Sequence, residues 1–398
     1  MSNADWADRG NRVFISTYNR FPAAMVRGRG CRLWDADGRE YLDFLAGIAV
    51  CSLGHCHPEV SAAISRQAQT LVHVSNLFHT RPQIELAELL VANSFADRVF
   101  LCNSGAEANE AAIKLARIHS GPGRYEVISL LGSFHGRTLA TVAATGQPKF
   151  HQGFEPLPQG FVHAEFGDPA AIERLIRPET CAVLCEPLQG ESGVRPLDPG
   201  YLRAVRELCD RHGLLLIFDE VQTGMGRTGT LFAYEQLGVV PDIMTMAKAL
   251  ANGLPMGAML TTESIAASLV VGSHASTFGG NPVAAAAAVE VLRIMLADGF
   301  FAGVQARSRH FLGRLEELAA RHPELAAGAR GRGLLLGLVL TDRGVELGLT
   351  MVQRMFEAGV LINFAGNAVL RFVPPLIVSE AEIDQLVDRL DRVLADLA

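Results

Sequence analysis

Two charged side chains at the ends of apolar runs open a chemical reading of this chain. Leu214 to Phe218 is unbroken apolar sequence that meets Asp219 and Glu220 and then glycines. A buried parallel strand that delivers a carboxylate at its carboxyl end has this pattern. A second run, Asp242 to Met246, leads to Lys248 and then to the breakers Gly253 and Pro255. A lone lysine at such a strand end is costly to bury unless it is used. A desolvated lysine amine can hold a carbonyl cofactor as a Schiff base, and pyridoxal phosphate (PLP) needs an acidic partner on its ring nitrogen to act as an electron sink. A carboxylate about 4 Å from a pyridinium contributes roughly 4 kcal/mol at an effective dielectric near 20, about 3 pKa units, which keeps that nitrogen protonated at neutral pH. From the strand pattern alone a plainer alternative carries equal weight: Asp219 capping a turn and Lys248 on the surface.

The strings that hold these residues, FDEVQTGMGRTG (218–229) and AKALANGLPMGAM (247–259), resemble the cofactor region of the class III (subgroup II) aminotransferases. The resemblance extends from about Val26 to Pro375. It implies an α/β protein of the PLP-dependent transferase fold type I, with a large domain built on a mostly parallel seven-stranded sheet and a smaller α+β domain. The division expected from it is 1–55 for an N-terminal arm and part of the small domain, 56–285 for the large PLP-binding domain, and 286–398 for the C-terminal small domain. Lys248 and Asp219 take the catalytic roles under this resemblance. Val221 packs beneath the cofactor ring, and Gln222 bonds its phenolic oxygen.

The elements that must bring further groups to this pair are legible in the same way. Val99 to Cys102 reads as a short buried strand, Asn103 to Gly105 as a turn, and AEANEAAIKLARIHS from Ala106 as a helix. A helix N-terminus after a tight turn is an anion site, because unsatisfied N–H groups and the positive dipole end point at the ligand. The bare pattern is weak; the resemblance assigns Ser104, Gly105 and Ala106 to the PLP phosphate. A strand from Tyr125 to Leu130 precedes GSFHGRT (132–138), where Phe134 and His135 on their own read as core or cap residues. The resemblance puts Phe134 on the ring face and makes Arg137 a bidentate fork for a substrate carboxylate.

Cys181 to Cys185 reads as another buried strand, ending in EPLQGESG (186–193), and Glu191 alone could simply be solvated. In the ornithine-type branch its counterpart pairs with an arginine that corresponds to Arg371 in LRFVPP (370–375). Glu191 then neutralises Arg371 while one substrate is held on Arg137, and Arg371 is released for the α-carboxylate of glutamate. In HASTFGGNP (274–282), the resemblance makes Ser276 a substrate contact and has Thr277 reach the PLP phosphate of a second subunit, which implies a homodimer with shared sites. Two positions depart from the family's commoner residues: Cys51 stands for Asn and His79 for Tyr.

Length and composition bound the rest. With 398 residues, 49% hydrophobic and 19% charged, the chain has core enough for two or three domains and does not have the composition of a disordered one. The net charge is −7 and the 35 Lys and Arg form no long run, so neither a nucleic acid nor an acidic membrane surface is an expected partner. No Asp, Glu, Lys or Arg lies between Glu263 and Glu290, but Ser273, His274, Gly279, Gly280, Asn281 and Pro282 break that stretch, which argues against a membrane helix. The polar opening MSNADWADRG has no apolar leader segment, and a cytoplasmic location is expected. Seven cysteines without CxxC spacing read as reduced thiols, and Cys51, His55, Cys56 and His57 are too crowded for a metal site, so no metal is expected.

Taken together, GIAVCSLGHCHP, VSNLF, SFHGRT, EPLQGE and LRFVPP imply transfer of the ω-amino group of N-acetylornithine to 2-oxoglutarate. The products are N-acetylglutamate semialdehyde and glutamate, a step of arginine biosynthesis, with succinyldiaminopimelate as a second donor. The residues themselves leave 4-aminobutyrate and ornithine open as donors. A non-catalytic PLP-binding protein is disfavoured, because Lys248, Asp219, Arg137 and Arg371 are all present.

Overall fold

Seven short runs form one sheet in the computed structural model, which describes residues 1–398. In chain order they are β1 (Arg98–Cys102), β2 (Glu126–Leu130), β3 (Phe161–Ala164), β4 (Thr180–Cys185), β5 (Leu215–Asp219), β6 (Ile243–Met246) and β7 (Gly257–Thr261). Their spatial order is β1-β7-β6-β5-β4-β2-β3. All run parallel except β7, which is antiparallel to β6 and β1. Every residue of β2, β4, β5, β6 and β7 is buried, as expected when helices cover both faces of a sheet. Side chains alternate between the faces. Ile128, Val183, Leu216 and Phe218 pack with Leu202 and Val205 of the helix Pro199–His212, whereas Val127, Leu184, Leu215 and Ile217 pack with Ala111, Ala112 and Leu115 of the helix Gly105–Ser120.

Because six strands point the same way, the turns after β1, β2, β4, β5 and β6 open at one edge, where open α/β sheets bind ligands. The helix after β1 starts sharply: Ser104 is its N-cap and accepts the Glu107 N–H, and small alanines let the helix lie close to the sheet.

Two smaller sheets flank this body. One combines Met25–Arg29, Arg32–Asp35 and Glu40–Asp43 with Val360–Leu361 from far along the chain. The other holds Ala326–Arg332, Leu335–Leu340, Val369–Phe372 and Asn363–Ala365, with Arg371 paired opposite Gly337 and Asn363. A hairpin turn at Asp37–Gly38 joins Arg32–Asp35 to Glu40–Asp43, with Gly38 at φ +86°. Helix Pro282–Met295, buried along most of its length, packs against helices Pro58–Thr70 and Arg81–Ala92. The last helix, Glu380–Ala395, has the capping box of Ser379 and Glu382 and buries Ile383, Leu386, Leu390 and Leu394. The uncharged stretch 264–289 is split between the short helix Glu263–Ala266, turns, and the start of Pro282–Met295. No helix is long and apolar enough to cross a membrane.

Candidate active site

A cavity of about 340 Å³ lies at the carboxyl edge of the main sheet. Its lining includes Ser104, Gly105 and Ala106 after β1, Phe134 and His135 after β2, Glu186 after β4, Asp219 at the end of β5 and Lys248 after β6. Val221, Gln222 and Glu191 complete the group of sequence-expected residues that the fold gathers here.

Asp219 is held from three directions. Its Oδ2 accepts hydrogen bonds from Asn109 Nδ2 and His135 Nδ1, each at 2.8 Å, and its Oδ1 accepts the Val221 N–H at 3.0 Å. Asn109 is itself fixed: its Oδ1 accepts from Thr245 at 2.7 Å and its Nδ2 also donates to the His135 carbonyl. A buried carboxylate with this many donors is held in one orientation. His135 Nε2 is buried without a partner.

Lys248 sits two residues past β6 with φ at +42°, a left-handed conformation that costs a side-chain-bearing residue roughly 1–3 kcal/mol and collects at functional sites. Burial lowers its pKa below the ordinary lysine value and the Arg371 charge adds to this, while Glu191, Asp219 and Glu186 oppose it. Such an amine spends more of its time as a free base, the form that can attack a carbonyl or take up a proton.

The N–H groups of Gly105 and Ala106, at the start of their helix, find no acceptor in the chain. They supply the donors and the positive dipole end that a phosphate needs. Gly105 is required for close packing here, since a Cβ would stand 2.8 Å from Val221 Cγ1.

At the other side of the cavity Arg371 is fully buried and tied to the main body. Its Nη1 donates to Glu191 at 2.7 Å, to the Gly190 carbonyl at 3.0 Å and to Gln222 at 3.3 Å, and its Nε donates to Asn363 at 3.2 Å. Nη2 has no partner. Burial works against the Glu191 charge, but Arg371, and after it Lys248, hold its carboxyl below the usual glutamate value.

Three expected site residues lie apart from this cavity within one chain. Arg137 is exposed, its guanidinium 4.2 Å from the Phe150 ring centre and 5.3 Å from that of Phe134. Ser276 accepts from Asn103 at 3.1 Å, one step from the cavity wall. Thr277 lines a separate small cleft with Asn76 and Gln83. Of the two departures noted in the sequence, Cys51 follows the wall residue Val50, and His79 lines another cleft, with Arg66 and Arg293. His55 pairs with Asp43 at 2.6 Å, and no cluster of three or more His, Cys, Asp or Glu is arranged to hold a metal ion.

The sequence pattern did not single out Asn109, Thr245 or Glu186, and it left His135 as a core residue. Only Glu186 had a visible signal, as a carboxylate directly following a buried strand. The others acquire their neighbours through contacts made far along the chain.

This donor set fits pyridoxal phosphate: a desolvated amine, a fixed carboxylate, a flat aromatic wall and a cradle of helix-start N–H donors. The fold and the site together define the PLP-dependent transferases of fold type I. Residues 14–394 match the family described as Aminotransferase class-III, and the chain belongs to that family. Members of this family are PLP-dependent, and the chain's cofactor is PLP. Among its relatives, acetylornithine aminotransferase of Thermosynechococcus vestitus is 51% identical, with 98% of this chain and 97% of the relative covered. The crystal structure of N-acetylornithine aminotransferase from Stenotrophomonas maltophilia superposes with a TM-score of 0.84 at 39% identity, covering 98% of each chain. That of ornithine aminotransferase from Toxoplasma gondii gives 0.95 at 33% identity, covering 100% of this chain and 96% of that one. Overall shape is therefore shared by relatives named for different donors.

Proposed function

We propose that the chain is an aminotransferase that moves the ω-amino group of N-acetylornithine to 2-oxoglutarate, giving N-acetylglutamate semialdehyde and glutamate. The observation that carries this reading is the Glu191–Arg371 pair at 2.7 Å, its arginine buried and its glutamate partly exposed, beside a desolvated Lys248. Such a pair suits an enzyme that must take two substrates with their carboxylates in different places. The relatives of about half identity named acetylornithine aminotransferase support the choice of donor.

When bound, the cofactor supplies the electron sink that makes the proton on the amine-bearing carbon acidic. Lys248 is the amine that holds the cofactor between turnovers, and it removes and returns that proton once the substrate amine has displaced it. Asp219, oriented by Asn109 and His135, keeps the ring nitrogen protonated. Ser104, Gly105 and Ala106 bind the phosphate, Phe134 and Val221 face the ring from either side, and Gln222 bonds the phenolic oxygen. Arg137 and Ser276 take the donor, with Arg137 on its carboxylate, while Glu191 neutralises Arg371. When 2-oxoglutarate or glutamate binds, Arg371 is released to its α-carboxylate.

Thr277 serves the phosphate of a second subunit, so the working unit is a homodimer. Its place outside the Lys248 cavity supports this, as does the exposed apolar edge formed by Leu77, Phe78, Val271 and Phe278 beside it. A cytoplasmic enzyme with no nucleic-acid or membrane partner accords with the acidic net charge and dispersed basic residues. The test is steady-state formation of glutamate from 2-oxoglutarate with N-acetylornithine, succinyldiaminopimelate, ornithine or 4-aminobutyrate. The highest kcat/KM for N-acetylornithine is expected, and preference for a donor without the acyl group contradicts the assignment.

A further inference from the structure

The reaction as described gives no task to one acid in the cavity wall. Glu186 follows β4 directly and is 5% exposed. Its Oε2 accepts the Phe134 N–H at 3.1 Å. No second hydrogen bond and no salt bridge is made by this carboxyl, which lines the cavity together with Phe134, Asp219 and Lys248.

Three ionisable groups from three elements face Glu186: Asp219 at the end of β5, Lys248 after β6, and Glu191 in the loop that follows β4. Burial and then the Asp219 charge push the Glu186 carboxyl well above the usual carboxylate range, and Glu191 adds to this. The Phe134 N–H and Lys248 offset only part of it. A carboxylate buried with a single donor and no paired cation is costly to keep charged. Asp219 has three donors and Glu186 has one.

We infer that Glu186 is a positioning residue of this aminotransferase site that works as a neutral carboxylic acid, fixing the Phe134 backbone through one oxygen and donating a hydrogen bond into the cavity beside Lys248 through the other. The proposal rests on the aminotransferase reading and extends it. It leaves Asp219 as the carboxylate that would serve the ring nitrogen, and it places a neutral donor in the wall beside Lys248 in place of a second anion. A carboxylic acid kept neutral by its surroundings can serve as such a donor at neutral pH.

Two variants of the holoenzyme separate this role from mere packing. Glu186→Leu removes both hydrogen bonds, whereas Glu186→Gln keeps an acceptor for the Phe134 N–H and a donor towards the cavity. The infrared difference spectrum between wild type and Glu186→Gln at pH 7 is expected to show loss of the carbonyl stretch of a protonated carboxylic acid. In kcat/KM the Leu variant is expected to fall about tenfold and the Gln variant to recover to within about threefold of wild type. The Gln variant should also lack the decline at high pH that sets in when Glu186 ionises. Loss of a carboxylate stretch instead overturns the proposal. So does a Gln variant as slow as the Leu variant while its circular dichroism and melting temperature match wild type. The infrared result needs no turnover, so an error in the choice of donor leaves this test intact.

Discussion

The two ends of the cavity are held in opposite ways. At the sheet end, Asp219 belongs to a strand buried at every residue and is fixed by Asn109, His135 and its own turn. At the opposite end, Arg371 is equally buried, but its one ionic partner, Glu191, is 31% exposed on a loop, and Nη2 is left unpaired. The sheet end does not have to change between the two halves of a transamination, so its geometry is set in advance by the fold. Under the proposed function the arginine end meets two substrates in turn. A pair that is strong when closed and able to part is what that task requires, and a second fixed scaffold there would forbid it.

The largest effect should come from the sheet end. Lys248→Ala is expected to remove the absorbance of protein-bound PLP and to slow turnover by at least about a thousandfold, measured on purified protein with PLP added. Normal activity in that variant would end the assignment.

Glu191→Ala should act differently at the two substrates, because it leaves Arg371 buried and without its anion. The half reaction with N-acetylornithine is expected to slow about tenfold while that with glutamate stays within about twofold. Equal losses in two separately measured half reactions would show that the pair is structural at both ends, and the contrast drawn above would fail.

A smaller effect is expected from Thr277→Ala. It should weaken PLP retention about fivefold, the value of one lost hydrogen bond, in equilibrium dialysis of the dimer. Unchanged affinity would count against a phosphate contact between subunits.

The smallest concerns the entrance loop that borders both ends. Burial tends to lower the pKa of His55, but the hydrogen bond to Asp43, with the Cys51 thiol beside it, outweighs this and lifts it to about 10. A histidine raised in this way lends stability that is complete below about pH 6.5 and is lost as pH climbs through the folded value. Wild type should therefore lose roughly 1 kcal/mol relative to His55→Gln between pH 6.5 and 10, read from denaturant midpoints. A pH-independent difference would contradict the ion pair.

Asp219 and Lys248 are legible in the sequence because a charge at the end of an apolar run is conspicuous, and the turn at Ser104 is legible because a capping residue precedes a regular helix. Glu191 and Arg371 are 180 residues apart, and only the family resemblance joined them before the fold did. His135 and Asn109 are invisible in that sense. They lie 84 and 110 residues from Asp219, and nothing local in SFHG or EANEA marks a side chain that will meet a carboxylate on another strand. The same holds for Lys248 φ: its left-handed backbone follows from the turn it must make after β6, which no residue type there announces. Five strands of the sheet were legible as short apolar runs and the number seven came from the family resemblance alone; β3, β7 and the strand order, with the antiparallel β7 inserted between β1 and β6, are set by packing across the whole domain.

The central claim is that one cavity serves two substrates by opening and closing the Glu191–Arg371 pair over a fixed Lys248–Asp219 floor. Stopped-flow absorbance of the PLP form, mixed separately with N-acetylornithine, ornithine, 4-aminobutyrate and glutamate, tests it most directly. Rapid conversion to the pyridoxamine form by N-acetylornithine and by glutamate alone is the predicted result. Conversion by 4-aminobutyrate or free ornithine at a higher rate than by N-acetylornithine would contradict the donor assignment, and no conversion by glutamate would contradict the gate.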